Sequence, residues 1–188
     1  MPNALVTGGC GFIASNFINV MHKRYPDITF INIDKLDYCS NVENVDQGAA
    51  KLFHGNLCDV KFIEKVIQSH KFDYVFHFAA QSHVDNSFID PISFTMDNTY
   101  GTHVLIESCR KYIPNTQFIH FSTDEVYGES LTDEPFTEIE GVLKPTNPYS
   151  ASKAGAEMII RSYIESFGMD IKVIRCNNVY GLNQYPEK

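Results

Sequence analysis

Short apolar runs alternate with amphipathic stretches along the 188-residue chain, a pattern that predicts strands separated by helices. Ala4-Leu5-Val6 predicts a first strand and residues 12–23 a helix. Residues 30–34 predict a second strand, followed by a polar loop to residue 51 without helical period. Residues 52–57 read as a third strand, residues 59–70 as an amphipathic helix, and residues 73–78 as a fourth strand that ends in the small pair Ala79-Ala80. The next helix spans residues 91–112. Gly101 interrupts it at a cost of about 1 kcal/mol relative to alanine and permits close packing on a neighbour. Residues 117–122 predict a fifth strand and residues 129–147 an acidic, proline-containing loop. A helix over residues 148–167 carries Pro148 in its first turn, where the missing N–H is harmless, and residues 171–175 predict a sixth strand. Strands alternating with helices imply parallel β-α-β units, hence an α/β fold with a doubly wound parallel sheet.

Composition narrows the function more than the fold. Fifteen basic against 23 acidic residues leave a net charge of −8, and no basic run offers the footprint that nucleic-acid binding needs. No apolar run approaches the ~18–20 residues that span a bilayer, and no charged leader opens the chain, so neither a membrane partner nor a signal peptide is expected. Cys10, Cys39, Cys58, Cys109 and Cys176 are scattered without metal-binding spacing. They predict reduced thiols in a cytoplasmic setting and no metal site. His77 and His83 read as pocket or core residues.

Three patterns carry the chemistry. The first strand runs into Gly8-x-x-Gly11-x-x-Ala14, a glycine-poor relative of the dinucleotide fingerprint. Gly8 permits a tight turn, Gly11 lets the backbone approach a pyrophosphate, and the helix beyond points its N-terminal amides at the phosphates. The second strand then ends on Asp34, roughly 20 residues further on, where a carboxylate accepts from ribose hydroxyls and repels a 2′-phosphate. This favours NAD over NADP on a Rossmann-type sheet, with Lys35 softening the preference. Tyr149 and Lys153 lie four apart on one helix face, where the ammonium is expected to lower the phenol pKa and make Tyr149 a base. Finally, Thr123-Asp124-Glu125 follows the fifth strand, at the edge where open α/β sheets place ligands. Adjacent like charges push their pKa values apart, which suits one carboxylate to act as acid and the other as base.

Taken together, the chain resembles an extended short-chain dehydrogenase/reductase, a lyase of the dTDP-glucose or UDP-glucose 4,6-dehydratase type. The resemblance rests on Thr7 to Ser15, Asp34 to Tyr38, His77 to Asp85, Ser122-Thr123-Asp124-Glu125-Val126-Tyr127-Gly128, Pro145 to Lys153 and Asn177 to Gly181. It implies that Tyr149, supported by Lys153 and Thr123, deprotonates the sugar C4 hydroxyl while NAD accepts the C4 hydride. Glu125 then removes the C5 proton and protonated Asp124 gives one to the departing C6 hydroxyl, leaving a 4-keto-6-deoxy sugar after reduction at C6. Phe12 and Ile13 are implied at the pyrophosphate turn, and Asp34, Lys35, Leu36 and Asp37 at the adenosine ribose. Asn56 and Leu57 fall beside the adenine, Phe78, Ala79, Ala80 and Ser82 along the cofactor and sugar, and Asn178 near the substrate's phosphates, with Ser82 and Thr123 also touching substrate. Ala14 and Asn56 depart from the family's usual Gly and Asp.

The resemblance places the whole of residues 1–188 in the NAD-binding domain with the catalytic residues, the C-terminal substrate-binding portion being largely absent. A chain ending there is expected to bind NAD and to turn over UDP- or dTDP-glucose poorly. Resemblance around residues 83–87 and 154–158 leans slightly toward the UDP-glucose enzymes of rhamnose synthesis. A homodimer through residues 95–112 and 149–167 is implied by the superfamily. A nucleotide-sugar 4-epimerase, for which Asp124 and Glu125 are dispensable, and a non-catalytic NAD-binding module are the alternative readings.

Overall fold

The computed structural model describes residues 1–130, 135–138 and 142–186. Its strands are β1 (Asn3–Thr7), β2 (Thr29–Asp34), β3 (Lys51–His54), β4 (Tyr74–His77), β5 (Gln117–Thr123) and β6 (Ile171–Cys176). All pair in parallel, in the spatial order β3-β2-β1-β4-β5-β6. The expected doubly wound Rossmann-type sheet is therefore present. The chain winds outward from β1 to β3, then crosses back so that β4, β5 and β6 build the other half. The crevice at that reversal lies between the carboxyl ends of β1 and β4, where Thr7 and His77 are register partners.

Near-continuous apolar runs make these strands because both faces of the sheet are covered. On one face, Leu5, Ile31, Ile33, Val75 and Phe118 pack under α2 (Val60–Ser69), α5 (Gly101–Tyr112) and α6 (Pro148–Phe167). On the other, Ala4, Val6 and Phe30 meet Ala14 and Ile18 of α1 (Phe12–Arg24). Each fully buried aliphatic side chain contributes about 1.5–3 kcal/mol. Cover thins toward the far edge, where Val173 and Ile174 of β6 remain 36% and 41% exposed. Helix α6 is defined at both ends. Asn147 and Ser150 form a reciprocal capping box, Pro148 occupies the first turn, and Gly168 closes the helix with a left-handed φ of 64°.

Several boundaries differ from the sequence-based expectation. The third strand stops at His54 rather than residue 57, because β2 ends at its register partner Asp34, whose carbonyl takes the last inter-strand bond from the Gly55 amide. The polar loop contains one 3₁₀ turn, Val42–Asn44, capped by Asn41. A short helix, α3 (Val84–Ile89), was not expected. The single helix expected over residues 91–112 is three pieces: α4 (Pro91–Phe94), a π-helical turn at Thr95–Tyr100, and α5. Gly101 keeps helical angles and brings α5 against residue 57, where an added Cβ would lie 3.3 Å from Leu57 Cβ. The expected loop at 129–147 lies partly outside the described residues.

The glycine turn is fixed by its neighbours. Gly8 has φ 72° and sits where an added Cβ would come within 2.8 Å of the Ala79 backbone. At Gly9 the Cβ would overlap the Asn32 amide that accepts from Gly9 N at 2.8 Å. Gly9→Ala is therefore expected to destabilise the fold by roughly 1–3 kcal/mol, read as a lower urea midpoint. Gly11→Ala meets only Gly8 O, at 3.2 Å, and is expected to shift that midpoint much less.

Candidate active site

A cleft of about 290 Å³ runs along the carboxyl edge of the sheet, from Gly55, Asn56 and Leu57 at one end to Thr123, Tyr149 and Lys153 at the other. Gly8, Gly11, Phe12 and Ile13 form its middle. Helix α1 begins there with Gly11 as N-cap and no side chain capping its first turn. The orphan amides of a helix start are thus turned toward the cleft, beside Gly8 and Gly11, and this arrangement can receive a diphosphate.

Beyond β2 the acidic residues divide their work. Asp34 is 5% exposed; its Oδ2 accepts from Cys10 N at 2.9 Å, and its Oδ1 accepts from Leu36 N at 2.8 Å and Ser40 Oγ at 3.2 Å. An ionised carboxylate offers about four acceptor positions, so roughly one remains for a sugar hydroxyl. Leu36 takes a left-handed φ of 57°, costly for a bulky residue, and the bond to Asp34 holds it there. Lys35 Nζ is 2.6 Å from Asp37 and 2.7 Å from Asp97. Burial opposes its charge, but the two carboxylates outweigh that and raise its pKa. Lys35 is thereby neutralised rather than free for a phosphate, and its second partner lies 62 residues away.

At the other end, β5 delivers Thr123 into a 3₁₀ turn, Asp124–Tyr127. Thr123 Oγ1 caps this turn by accepting from Glu125 N at 3.3 Å, and donates to Asp124 Oδ1 at 3.2 Å. Asn147 Nδ2 donates to Glu125 Oε2 at 3.2 Å, tying the turn to the start of α6. Glu125, Tyr149 and Lys153 line the cleft, whereas Asp124 and Leu36 are not among its walls. Ser82 and Asn178 stand exposed at the rim. Phe78 and Phe121 stack at 3.7 Å between centroids and make an aromatic wall.

One electrostatic expectation is corrected. Burial pushes the Tyr149 hydroxyl up to about 12, opposed by its hydrogen bond with Thr123 and reinforced by Glu125 and Asp124. Burial brings the Lys153 ammonium down to about 8, against the opposing pull of Glu157 and Cys176. Lys153 Nζ donates to Phe121 O at 2.7 Å instead of lowering the phenol pKa. In the chain by itself, Tyr149 holds its proton more tightly than the helix spacing alone implied.

Sequence reasoning missed the residues that hold these groups in place. Asn98, in the π-helical turn and 1% exposed, accepts from Gln81 N at 2.7 Å and donates to Gln81 O at 2.9 Å and Ser152 Oγ at 2.8 Å. It joins the strand-4 loop to α6. A π turn widens the helix enough to present such a side chain inward. The available signal was a polar residue at a core-facing position, i−4 to Thr102. His77, fully enclosed, bridges Thr7 Oγ1 at 2.7 Å and Thr102 Oγ1 at 2.8 Å. It is a core residue beneath the cleft, as read from the sequence. Among the described residues no group of three or more His, Cys, Asp or Glu gathers as for a metal ion, no helix is long and apolar enough to cross a membrane, and the cysteines form no disulfide.

Comparison with known proteins agrees with this geometry. The family described as GDP-mannose 4,6 dehydratase matches residues 5–188. A trifunctional UDP-glucose 4,6-dehydratase/UDP-4-keto-6-deoxy-D-glucose 3,5-epimerase/UDP-4-keto-L-rhamnose-reductase of Arabidopsis thaliana is 46% identical over 191 residues, 99% of this chain and 29% of that protein. Human dTDP-D-glucose 4,6-dehydratase is 46% identical over 188 residues, 98% of this chain and 53% of its own length. The dTDP-glucose 4,6-dehydratase of Bacillus anthracis, solved in complex with NAD, superposes with a TM-score of 0.90 at 39% identity, covering 100% of this chain and 58% of its own. A UDP-glucose 4-epimerase of Thermotoga maritima, solved with UDP-glucose, also gives 0.90, at 33% identity over 98% of this chain and 58% of its own. The chain therefore spans only part of the length of the relatives it matches.

The enclosed histidines give the fold a pH dependence. Burial drives the His77 pKa down to about 3 and that of His120 well below its usual value, with the Lys153 charge adding to both. Both stay neutral in the fold and take up a proton near pH 6.5 only on unfolding. Stability from this source is full above pH 6.5 and is lost as pH falls, by about 1.4 kcal/mol per pH unit for each histidine. Urea denaturation between about pH 6.5 and 5.0 is expected to show this slope, and His120→Leu to reduce it by about half.

Proposed function

The chain belongs to the GDP-mannose 4,6-dehydratase family, and on that premise we propose that its residues bind NAD and dehydrate a nucleoside-diphosphate glucose to the 4-keto-6-deoxy sugar. The observation that carries the reading is the Thr123-Asp124-Glu125 turn at the end of β5, set at the same end of the cleft as Tyr149 and Lys153. A sugar oxidoreductase that only moves hydrogen at C4 has no work for that carboxylate pair. The start of α1, whose first turn no side chain caps, fits a pyrophosphate, and the last acceptor position on Asp34 fits a ribose hydroxyl.

NAD, when bound, supplies the reversible two-electron capacity that oxidises the sugar at C4 and reduces it at C6. The protein's own residues handle the protons. Tyr149 takes the C4 hydroxyl proton, its oxygen oriented by Thr123. Its raised pKa makes the bare chain a weak base, so the positive charge of Lys153 and of the oxidised cofactor is needed to bring the phenol into range. Once C4 is a ketone, the C5 proton is acidic and Glu125, steadied by Asn147, removes it. Asp124 protonates the departing C6 hydroxyl, and water leaves. Reprotonation at C5 completes the sequence.

In this reading residues 1–188 form the NAD-binding domain with the catalytic residues, and the remaining substrate contacts lie in the portion of the relatives that this chain does not span. The human dTDP-glucose enzyme and the Arabidopsis UDP-glucose enzyme share the same 46% identity with the chain, so UDP-glucose and dTDP-glucose fit equally well, and a place in rhamnose synthesis follows the first. A homodimer and a cytoplasmic setting belong to the same proposal; cysteines outside any disulfide accord with the second. The epimerase reading draws on the Thermotoga neighbour and requires Asp124 and Glu125 to be dispensable.

Under single-turnover conditions with NAD and either nucleotide sugar, Glu125→Gln is expected to lower formation of the 4-keto-6-deoxy product by about 10²–10⁴-fold. C4 oxidation, seen as NADH absorbance, should persist. Unchanged elimination in that variant contradicts the assignment. Asp37 and Asp97 both pair with Lys35, and Asp34 closes β2 at the wall of the same cleft, so calorimetry is expected to find NAD bound at least about tenfold more tightly than NADP, a difference of about 1.4 kcal/mol.

A further inference from the structure

Glu157 lies one helical turn beyond Lys153 on α6 and is 4% exposed. It touches neither the glycine turn nor the acid–base pair, yet it collects hydrogen bonds from two of the strands that end at the site. Ser122 Oγ donates to Oε1 at 2.5 Å. Arg175 Nη2 donates to Oε2 at 2.6 Å, and Arg175 Nε reaches both oxygens at 3.1 and 3.2 Å. The guanidinium continues to Tyr127 OH at 2.5 Å, with Arg175 Cζ 4.7 Å above the Tyr127 ring.

The places these residues occupy in the chain give the cluster its meaning. Ser122 immediately precedes Thr123 on β5. Arg175 is its register partner on β6 and immediately precedes Cys176, a wall of the cleft. Tyr127 ends the turn that carries Asp124 and Glu125. Glu157 shares a helix face with Lys153 at the i+4 spacing. One carboxylate thus binds the ends of β5 and β6 directly, and the acidic turn through Arg175, to the helix that presents Tyr149 and Lys153. A buried ion pair is weak as a source of stability, because desolvation offsets its Coulombic gain, but it fixes geometry.

We propose that Glu157 is a positioning residue, whose carboxylate, held by Ser122 and Arg175, sets the Asp124–Glu125 turn and the Lys153 ammonium relative to one another. Its link to catalysis rests on the dehydratase reading; its structural content does not. Lys153 is faced by Glu157 on its own helix, by His77 of β4, His120 of β5 and Cys176 of β6. Glu157 and Cys176 favour the ammonium, Glu157 the more strongly of the two.

The test is isotope-labelled NMR of the chain without substrate, following the Lys153 side-chain titration and the backbone amides of Asp124 and Glu125. In Glu157→Gln the Lys153 midpoint is expected to fall by roughly one pH unit, and both amide signals to move. The double variant Glu157→Gln/Arg175→Met, which leaves no unpaired guanidinium, is expected to recover thermal stability while both readouts stay displaced. A double variant with the wild-type Lys153 midpoint and wild-type amide positions overturns the proposal, since the cluster then only fills space. If either variant does not fold, Ser122→Ala, which keeps the ion pair, is read the same way: displaced signals support the proposal and unmoved ones overturn it. Unchanged elimination in Glu125→Gln counts against the dehydratase reading alone, because these signals are recorded without substrate.

Discussion

Parallel pairing of β1, β4 and β5 is the constraint on which the cleft depends. Only parallel strands gather their carboxyl ends on one edge, and only a sheet whose winding reverses leaves a crevice there. The register partners Thr7 and His77 mark that crevice. From it the glycine turn leaves on one side and the Ala79-Ala80 segment on the other, so close that Gly8 tolerates no side chain. Thr123 reaches the same edge on β5, two strands from β1. The uncapped start of α1 and the cluster of Thr123, Glu125, Tyr149 and Lys153 therefore face one volume.

That convergence requires polar groups in the interior, and the protein satisfies them with one another. A consistent proton arrangement runs from Thr7 O–H to His77 Nδ1, from His77 Nε2–H to Thr102, and from Thr102 O–H to the Asn98 carbonyl. Asn98 uses its side chain on Gln81 and Ser152. Glu157 and Arg175 perform the same service under the other half of the site. Both clusters connect a strand end to a helix, so they fix the angle between the cleft and its cover in a way that apolar packing, which is non-directional, does not.

Local patterns in the sequence carried much of this. Gly8 and Gly11, Asp34, the acidic pair after β5 and the Tyr149–Lys153 spacing are each signatures of a few residues, and strand-to-helix alternation sufficed for the parallel sheet. What escaped depends on distant partners. Nothing near Lys35 reveals that Asp97 neutralises it, and nothing near Glu157 reveals Arg175. The helical period expected over residues 91–112 did not mark the π turn at Thr95–Tyr100. The direction of the Tyr149 pKa depended on burial and on the two carboxylates of the turn after β5, which a spacing of four on one helix does not encode.

The glycine turn and the cluster of Thr123, Tyr149 and Lys153 line one cleft, and one bound dinucleotide should reach both. Titrating the chain with NAD while recording backbone amide shifts measures this. Signals at Gly11 and Asp34 and signals at Thr123 and Tyr149 are expected to move together along one saturation curve with a single Kd. Shifts confined to the Gly11–Asp34 end, or two curves with different affinities, would show two separate sites instead.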